Sequence, residues 1–535
     1  MIRDLLGHTE KETVEADVLV VGAGTVGLVL ATELAKSGLR VIVLESGGLR
    51  QDEDEHPLNA VVQIGSNYPG AARGRFRCLG GTSTRWGGAL IPFLAADMDP
   101  GLWPVSHAEI TSYLPRVEQL FQLPPGSYDW DGVTAQSDGK APDYMARLAK
   151  WPAFARRNVA NLLSQEIANT DDPIIWLNAT ATDFEIGENG RLAKVVATAP
   201  DSAQISVRAN EVVIAAGAIE STRLLLLADR QNSGKFFAPD DVLGRYFHDH
   251  LSAPVARLQV HDRKALNRIV GFRFEGDGMR NVRFELSERS PHRKTVPDCF
   301  AHIAFQEQQR GGFDALRDLF RQLQQRRYPK LSTLVELTKS LPWLMRATWW
   351  RFVEKRLLYP SAADIQLHMV IEQIPRPENR IFLSDDRRGR DGQPLAVIDW
   401  TVDRQDEENL TKATDLFIDC WRGSDLAPLA DILRRGPGEA EAELALGGSA
   451  FHPGGTTRMG RSSSEGVVDR DLRAFRIPNM RVLSTSTFPS GGGANPTMML
   501  MMFALRLADD IAKGSGSVEA LPKQVVPTEK HAHAG

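Results

Sequence analysis

The sequence predicts an α/β protein, α+β over its whole length, made of two interwoven domains, and three observations predict it. A β-branched run, DVLVVG at residues 17–22, leads through closely spaced glycines into the apolar stretch VGLVLATELAKSG, which reads as strand, turn and helix. Further short strand-like runs bounded by turn residues recur far along the chain, among them NRIFLS at 379–384 and LAVIDW at 395–400. At 535 residues the chain is also too long for one hydrophobic core, and its 42% hydrophobic and 24% charged residues are those of an ordinary soluble protein.

The first unit is the most specific. After Gly38 a second strand, RVIVLE, ends in the acidic residue Glu45, 18 positions beyond Gly27. Gly22 permits a tight turn, Gly24 lets a pyrophosphate approach the backbone at the helix N-terminus, and Gly27 allows close packing of helix on strand. Glu45 stands where a carboxylate accepts hydrogen bonds from a ribose. Strand, turn, helix, second strand and terminal acid all fall at the spacing of a Rossmann-like dinucleotide site. A single amino-terminal copy leans toward FAD kept bound through turnover, and the lack of a second GxGxxG argues for hydride arriving directly from an organic substrate.

Residues 451–499 carry the second signal. FHPGGTTRMG and STSTFPSGGGANPTMM hold His452, which exchanges a proton near neutral pH, and Asn495, a hydrogen-bonding amide, among glycines that let backbone pass close to a flat ligand. A His before Pro-Gly-Gly and an Asn before Pro are also ordinary turn residues, so this stretch gains weight only beside the amino-terminal unit.

Four blocks together resemble the glucose-methanol-choline (GMC) family of flavin-dependent alcohol oxidoreductases: VVGAGTVG with Glu45, GGTSTRWGG at 80–88, VVIAAGAIESTRLLLLAD at 212–229 with LGRYFHDHL at 243–251, and the segment from His452 through Asn495 to Asp510. They extend from residue 17 to about 512. The resemblance is closest to the sugar-oxidising branches, those like pyranose oxidase and the sugar dehydrogenases. It implies that His452 is the base and that Asn495 holds the same hydroxyl, while His248 and His250 have structural roles in a flavin-domain loop. It places Gly80, Gly81, Thr82 and Gly88 near the cofactor, with Ala216 and Gly217 at the end of the second flavin-domain strand. Ala181 faces adenine through its backbone, Ser484 and Thr485 lie before the flavin, and Pro496 and Thr497 lie beside the pyrimidine end of the ring. Arg85 stands where some sugar-oxidising relatives carry the histidine that links flavin covalently, so noncovalent FAD is expected.

The same resemblance divides the chain into an FAD-binding domain of residues 14–100, 172–255 and 448–512, a substrate-binding domain of 101–171 and 256–447, and a flexible tail of 513–535. Within the substrate domain the sequence predicts strands over 361–374, 379–384 and 395–400, and a helix over 406–421. In the tail, His531 and His533 are read as solvated residues rather than metal ligands. Residues 310–356 contain eleven Lys or Arg against four Asp or Glu. There Leu341, Met345, Trp349, Val353 and Leu357 recur at helical spacing. The expectation is a helix packed on the substrate domain with its arginines in water, the alternatives being a lid over the site or a contact with a membrane or anionic partner.

The expected function is oxidation of a CH–OH group of a sugar, glycoside or polyol by hydride transfer to flavin N5, with oxygen, a quinone or another carrier as electron acceptor. The alternatives are the same chemistry on a hydrophobic or natural-product alcohol, or a flavin-binding partner protein without turnover. A net charge of −5 gives no electrostatic footprint for nucleic acid. Cys78, Cys299 and Cys420 are dispersed, with no CxxC or Cys/His cluster, so no metal is expected and a reducing compartment suits them. The amino terminus lacks the apolar core of a signal peptide, and the run MMLMMFAL at 498–505 is cut short by Arg506, so a cytoplasmic protein without a transmembrane segment is expected. The oligomeric state stays open.

Overall fold

A computed structural model describes residues 1–9, 12–52, 55–133, 142–234, 242–306, 311–324, 327–436 and 438–515. Its first sheet is mainly parallel. Strand Glu12–Val21 lies between Val41–Leu44 and Gln204–Ile214, and Ile174–Leu177 and Ile2–Asp4 extend the sheet beyond Val41–Leu44. Gln204–Ile214 forks: its first half pairs antiparallel with Leu192–Thr198, and its last residues pair in parallel with Met480–Val482. Residues 18–21 of the first of these strands and all of Val41–Leu44 are buried on both faces and read as unbroken Val/Ile/Leu runs, as parallel strands covered on both sides do.

Helix Thr25–Lys36 packs against Thr497–Ser515, which buries Met498, Met499, Met501, Met502 and Phe503. The two ends of the described chain thus share one core. The helix reaches Ser515, and His531 and His533 lie outside the described residues.

The second sheet is antiparallel. Its order is Arg273–Glu275, Gly278–Leu286, Cys299–Gln306, Asp364–Glu372, His250–Val260 and Ala430–Arg434, with Tyr144–Trp151 also on Gly278–Leu286. Helix Arg404–Arg422, two residues longer at its start and one at its end than the sequence predicts, covers this sheet. Asp403 caps it by accepting from the Asp406 N–H at 3.1 Å, while the Asp406 carboxylate accepts from the Asp403 N–H at 3.1 Å. Its buried row, Leu410, Ala413, Phe417 and Trp421, follows the helical repeat; each large side chain so buried stabilises the layer by about 1.5–3 kcal/mol. The strands expected over 361–374, 379–384 and 395–400 are Asp364–Glu372, Arg380–Arg388 and Pro394–Trp400. The last two form a small third sheet with Val61–Gly65.

One expectation is overturned. Leu341, Met345, Trp349 and Val353 do not pack inward: helix Leu341–Trp349 and the π-helical turn Trp350–Glu354 that continues it have no buried residue, and all four side chains are exposed. A period of about four residues tells that one face is apolar but not which way that face points. Among the described residues no helix is long and apolar enough to cross a membrane.

Candidate active site

The amino-terminal strand ends at Gly22, whose φ of 111° and neighbours exclude a side chain: a Cβ there would sit 2.6 Å from the Ala215 carbonyl oxygen. A Cβ on Gly27 would lie 2.0 Å from the Gly22 carbonyl oxygen, so helix Thr25–Lys36 reaches this close to its strand only with glycine. Gly24, the N-cap, has nothing within 4 Å of the same position and leaves the helix N-terminus open for an anion. The loop 80–88 closes on this turn. The Gly80 N–H donates to the Ala23 carbonyl at 2.9 Å, and a Cβ on Gly81 would lie 2.8 Å from Gly24 Cα. Thr82 is exposed in the 3₁₀ turn of that loop, while Gly88 (φ 96°) stands at its end against Arg157.

Glu45 is buried at the end of its strand. Its Oε2 accepts from the Ala23 N–H at 2.9 Å and its Oε1 from the Gly47 N–H at 2.9 Å, so it clasps the glycine turn itself. Burial raises its pKa above the ordinary carboxylate value. Ala179, whose N–H donates to the Glu45 carbonyl at 2.8 Å, brings the start of strand Thr180–Ile186, and so Ala181, near the same end. Ala216 and Gly217 follow the neighbouring parallel strand, and Gly217 (φ 76°) caps helix Ala218–Gln231 with no atom within 4 Å of a Cβ. Two helix N-termini with open caps at the carboxyl ends of adjacent parallel strands suit the phosphates of a dinucleotide, so these residues fit FAD.

His452 and Asn495 converge although 43 residues separate them. Nε2 of His452 lies 3.2 Å from Nδ2 of Asn495, and Nδ1 of His452 lies 3.2 Å from Nδ1 of His250. Two fixed partners orient this chain of contacts. His250 Nε2 is 2.8 Å from the Gly492 carbonyl, which only accepts, so Nε2 carries the His250 proton. Burial lowers the pKa of His250, so its Nδ1 is a bare acceptor, and the bonded Nδ1 of His452 is the donor. At the other end the Arg283 guanidinium, which only donates, bonds Oδ1 of Asn495 and turns the amide NH₂ toward His452. Nε2 of His452 is left as an unprotonated acceptor. Burial, then the fields of His250 and Arg283, hold the His452 pKa well below its ordinary 6.5.

The supporting residues come from all over the chain. The His452 N–H donates to Asp249 Oδ1 at 2.8 Å, and Tyr68 Oη donates to Asp249 Oδ2 at 2.7 Å. Burial pushes Asp249 up to about 7. Glu372 accepts from the Gly491 N–H at 2.6 Å and pins the glycine loop that leads to Asn495. Arg283, on strand Gly278–Leu286, is buried with its guanidinium 4.6 Å from the Phe300 ring centre, and burial lowers its pKa to about 10. His248 stands apart from the pair: its ring packs on Gly454 and Gly455, where a Cβ would come within 2.6–2.7 Å of it, and burial lowers its pKa to about 4. Ligand atoms of Asp249, His250 and His452 lie within 4.8 Å of one another, close enough to hold a cation, yet each group is already engaged in the bonds above.

Thr485 Oγ1 donates to the Pro453 carbonyl at 2.7 Å, which ties the 484–487 turn to the His452 loop. Ser484 Oγ accepts from the Ser486 N–H, so its side chain shapes that turn. Pro496 and Thr497 open the last helix directly after Asn495. Sequence reasoning did not single out Arg283, Tyr68, Asp249 or Glu372, and it read His250 as structural. Only the HDH run at 248–250 offered a signal, since Arg283 and Glu372 sit in ordinary strand patterns.

Residues 375–504 match the family described as GMC oxidoreductase, and residues 15–53 match the family described as FAD binding domain. The chain is 24% identical to 6'''-hydroxyparomomycin C oxidase of Streptomyces lividus and 24% identical to paromamine 6'-oxidase of Streptomyces fradiae, in each case over 93% of this chain and 91% of the relative. A crystal structure of formate oxidase shares the fold with a TM-score of 0.59 at 15% identity, covering 95% of this chain and 99% of the other. The two family matches and the oxidase relatives together describe an FAD-binding oxidoreductase. Residues 375–504 carry the GMC oxidoreductase match, and over nearly its whole length the chain is similar to the two oxidases above.

Proposed function

We propose that the protein oxidises a CH–OH group of a sugar, glycoside or polyol to a carbonyl, with His452 as the base that removes the hydroxyl proton. The observation that carries this reading is the polarity of the hydrogen-bond chain from Gly492 through His250 and His452 to Asn495 and Arg283. A hydroxyl entering between His452 and Asn495 donates to Nε2 and accepts from the Asn495 NH₂, replacing their 3.2 Å contact. Both groups are already turned for it. FAD, when bound, supplies the acceptor for the hydride that leaves the carbinol carbon. Asn495 fixes which C–H is presented, and such orientation contributes several kcal/mol, up to about 7–11 in well-aligned cases. The relatives named as oxidases of paromamine and 6'''-hydroxyparomomycin C support a sugar-like donor.

The FAD is held noncovalently in this reading. Arg85 Nε donates to Gln51 Oε1 at 3.0 Å, and an arginine cannot form the histidyl bond to flavin. The three free cysteines, two buried and one half-buried, support a reducing, cytoplasmic location.

Anaerobic stopped-flow reduction of the bound flavin by candidate sugars and polyols tests the base. His452→Ala keeps its flavin and slows reduction by roughly 10²–10⁴-fold, the usual contribution of a positioned general base. Reduction of the variant at the parent rate removes His452 from the mechanism.

A further inference from the structure

Helices Leu331–Lys339 and Leu341–Trp349, with the turn Trp350–Glu354, form a face that nothing among the described residues covers. Thr333 is the one buried residue in the three elements. Leu331 is 77% exposed, Met345 74%, Trp349 62% and Phe352 71%. Isolated exposed apolar residues need no explanation, but large ones in a row at intervals of four, continued by Phe352 and Val353, make a contiguous patch of the kind that marks an interaction surface.

Charge identifies the partner. Residues 327–356 contain seven Lys or Arg and two Glu, a balance of +5 on a chain whose total is −5. One of those Glu, Glu354, is held by Arg268 at 2.7 Å. The segment is seated firmly: the Arg351 guanidinium lies 3.9 Å from the Phe274 ring centre, the Arg356 Nε donates to the Arg268 carbonyl at 3.0 Å, and Gln324, at the end of the preceding helix, donates to the Ser83 carbonyl at 3.0 Å. A second copy docked through the same face would set five positive charges against five.

We propose that this face docks on an anionic lipid bilayer. Trp349 and Phe352 lie at headgroup depth, Leu331, Leu341 and Met345 enter the acyl boundary, and the exposed Lys330, Lys339, Arg346 and Lys355 around them meet lipid phosphates. The attachment is peripheral and weakens with salt.

The test is sedimentation of the flavin-loaded protein with vesicles. One set holds equal parts phosphatidylglycerol and phosphatidylcholine, the other phosphatidylcholine alone. Affinity for the anionic set exceeds that for the neutral set by about tenfold or more, and falls as salt is raised to about 0.5 M. Trp349→Glu with Phe352→Glu, and separately Arg346→Glu with Lys355→Glu, each lower anionic-vesicle binding about tenfold while flavin content and Tm stay at the parent values. Equal binding to both vesicle sets, or parent-like binding by the folded Trp349→Glu, Phe352→Glu protein, overturns the proposal. So does a dimer in solution that the same substitutions dissociate, since a second copy then covers the face.

Discussion

Nδ1 of His452 meets Nδ1 of His250 at 3.2 Å with the two rings edge to face, 5.2 Å between centres and 89° between planes. Two buried imidazoles share one proton here, and the Gly492 carbonyl decides which ring keeps it. The tautomer of the proposed base is therefore set by the backbone carbonyl of Gly492, 40 positions along the chain from His452 in the glycine run just before Asn495.

Removing His250 should cost rate rather than cofactor. His250→Ala leaves the His452 Nδ1 donor buried without its acceptor, a loss of about 1–3 kcal/mol, which corresponds to about 5- to 150-fold in the rate of flavin reduction. Flavin content should stay at the parent value. Stopped-flow rates beside the absorbance ratio of flavin to protein check both.

The pH profile should carry the depressed pKa of His452. A base works when unprotonated, so a pKa held well below 6.5 keeps the reductive rate flat from neutral pH down past 6.5, with the acid limb below it. Arg283→Met removes the guanidinium charge that helps to lower this pKa, so the limb should move toward higher pH as the rate falls through loss of Asn495 orientation. A variant with a lower rate and an unmoved limb would leave Arg283 with a packing role alone.

Glu45→Ala should weaken the fold and flavin retention together. The carboxylate holds two buried N–H groups, that of Ala23 in the glycine turn and that of Gly47 in the loop after its own strand, and each orphaned donor costs about 1–3 kcal/mol. Thermal unfolding with and without added FAD checks this: the variant's Tm should fall in both and recover partly with excess FAD.

Acid precipitation should release the flavin into the supernatant, because Arg85 is bonded to Gln51 and offers no ring nitrogen for attachment. Yellow colour retained in the denatured pellet would show a covalent link through another residue.

The parts of this protein that were legible in its sequence are those where the chemistry is local. The glycine turn and Glu45 lie within 24 residues of each other, and their spacing follows from one strand, one turn and one helix. The strands at 364–372, 380–388 and 394–400 announced themselves by β-branched runs and turn residues. Arg283 could not be found this way: it alternates with apolar neighbours as any strand residue does, and only the antiparallel sheet carries it 212 positions to Asn495. His250 was seen, but the side of the strand it faces depends on register with Asp364–Glu372. The outward row from Leu341 to Val353 has the same cause, since periodicity contains no direction.

The pairing of Met480–Val482 with Gln204–Ile214, and of the last helix with Thr25–Lys36, has a consequence for synthesis on the ribosome. More than 430 residues separate Leu44 from Met480, and at about 5–20 residues per second that gap takes roughly 20–90 s to translate. Through that interval the nascent glycine turn and its first strands lack both the strand Met480–Val482 and the helix Thr497–Ser515 that packs against Thr25–Lys36.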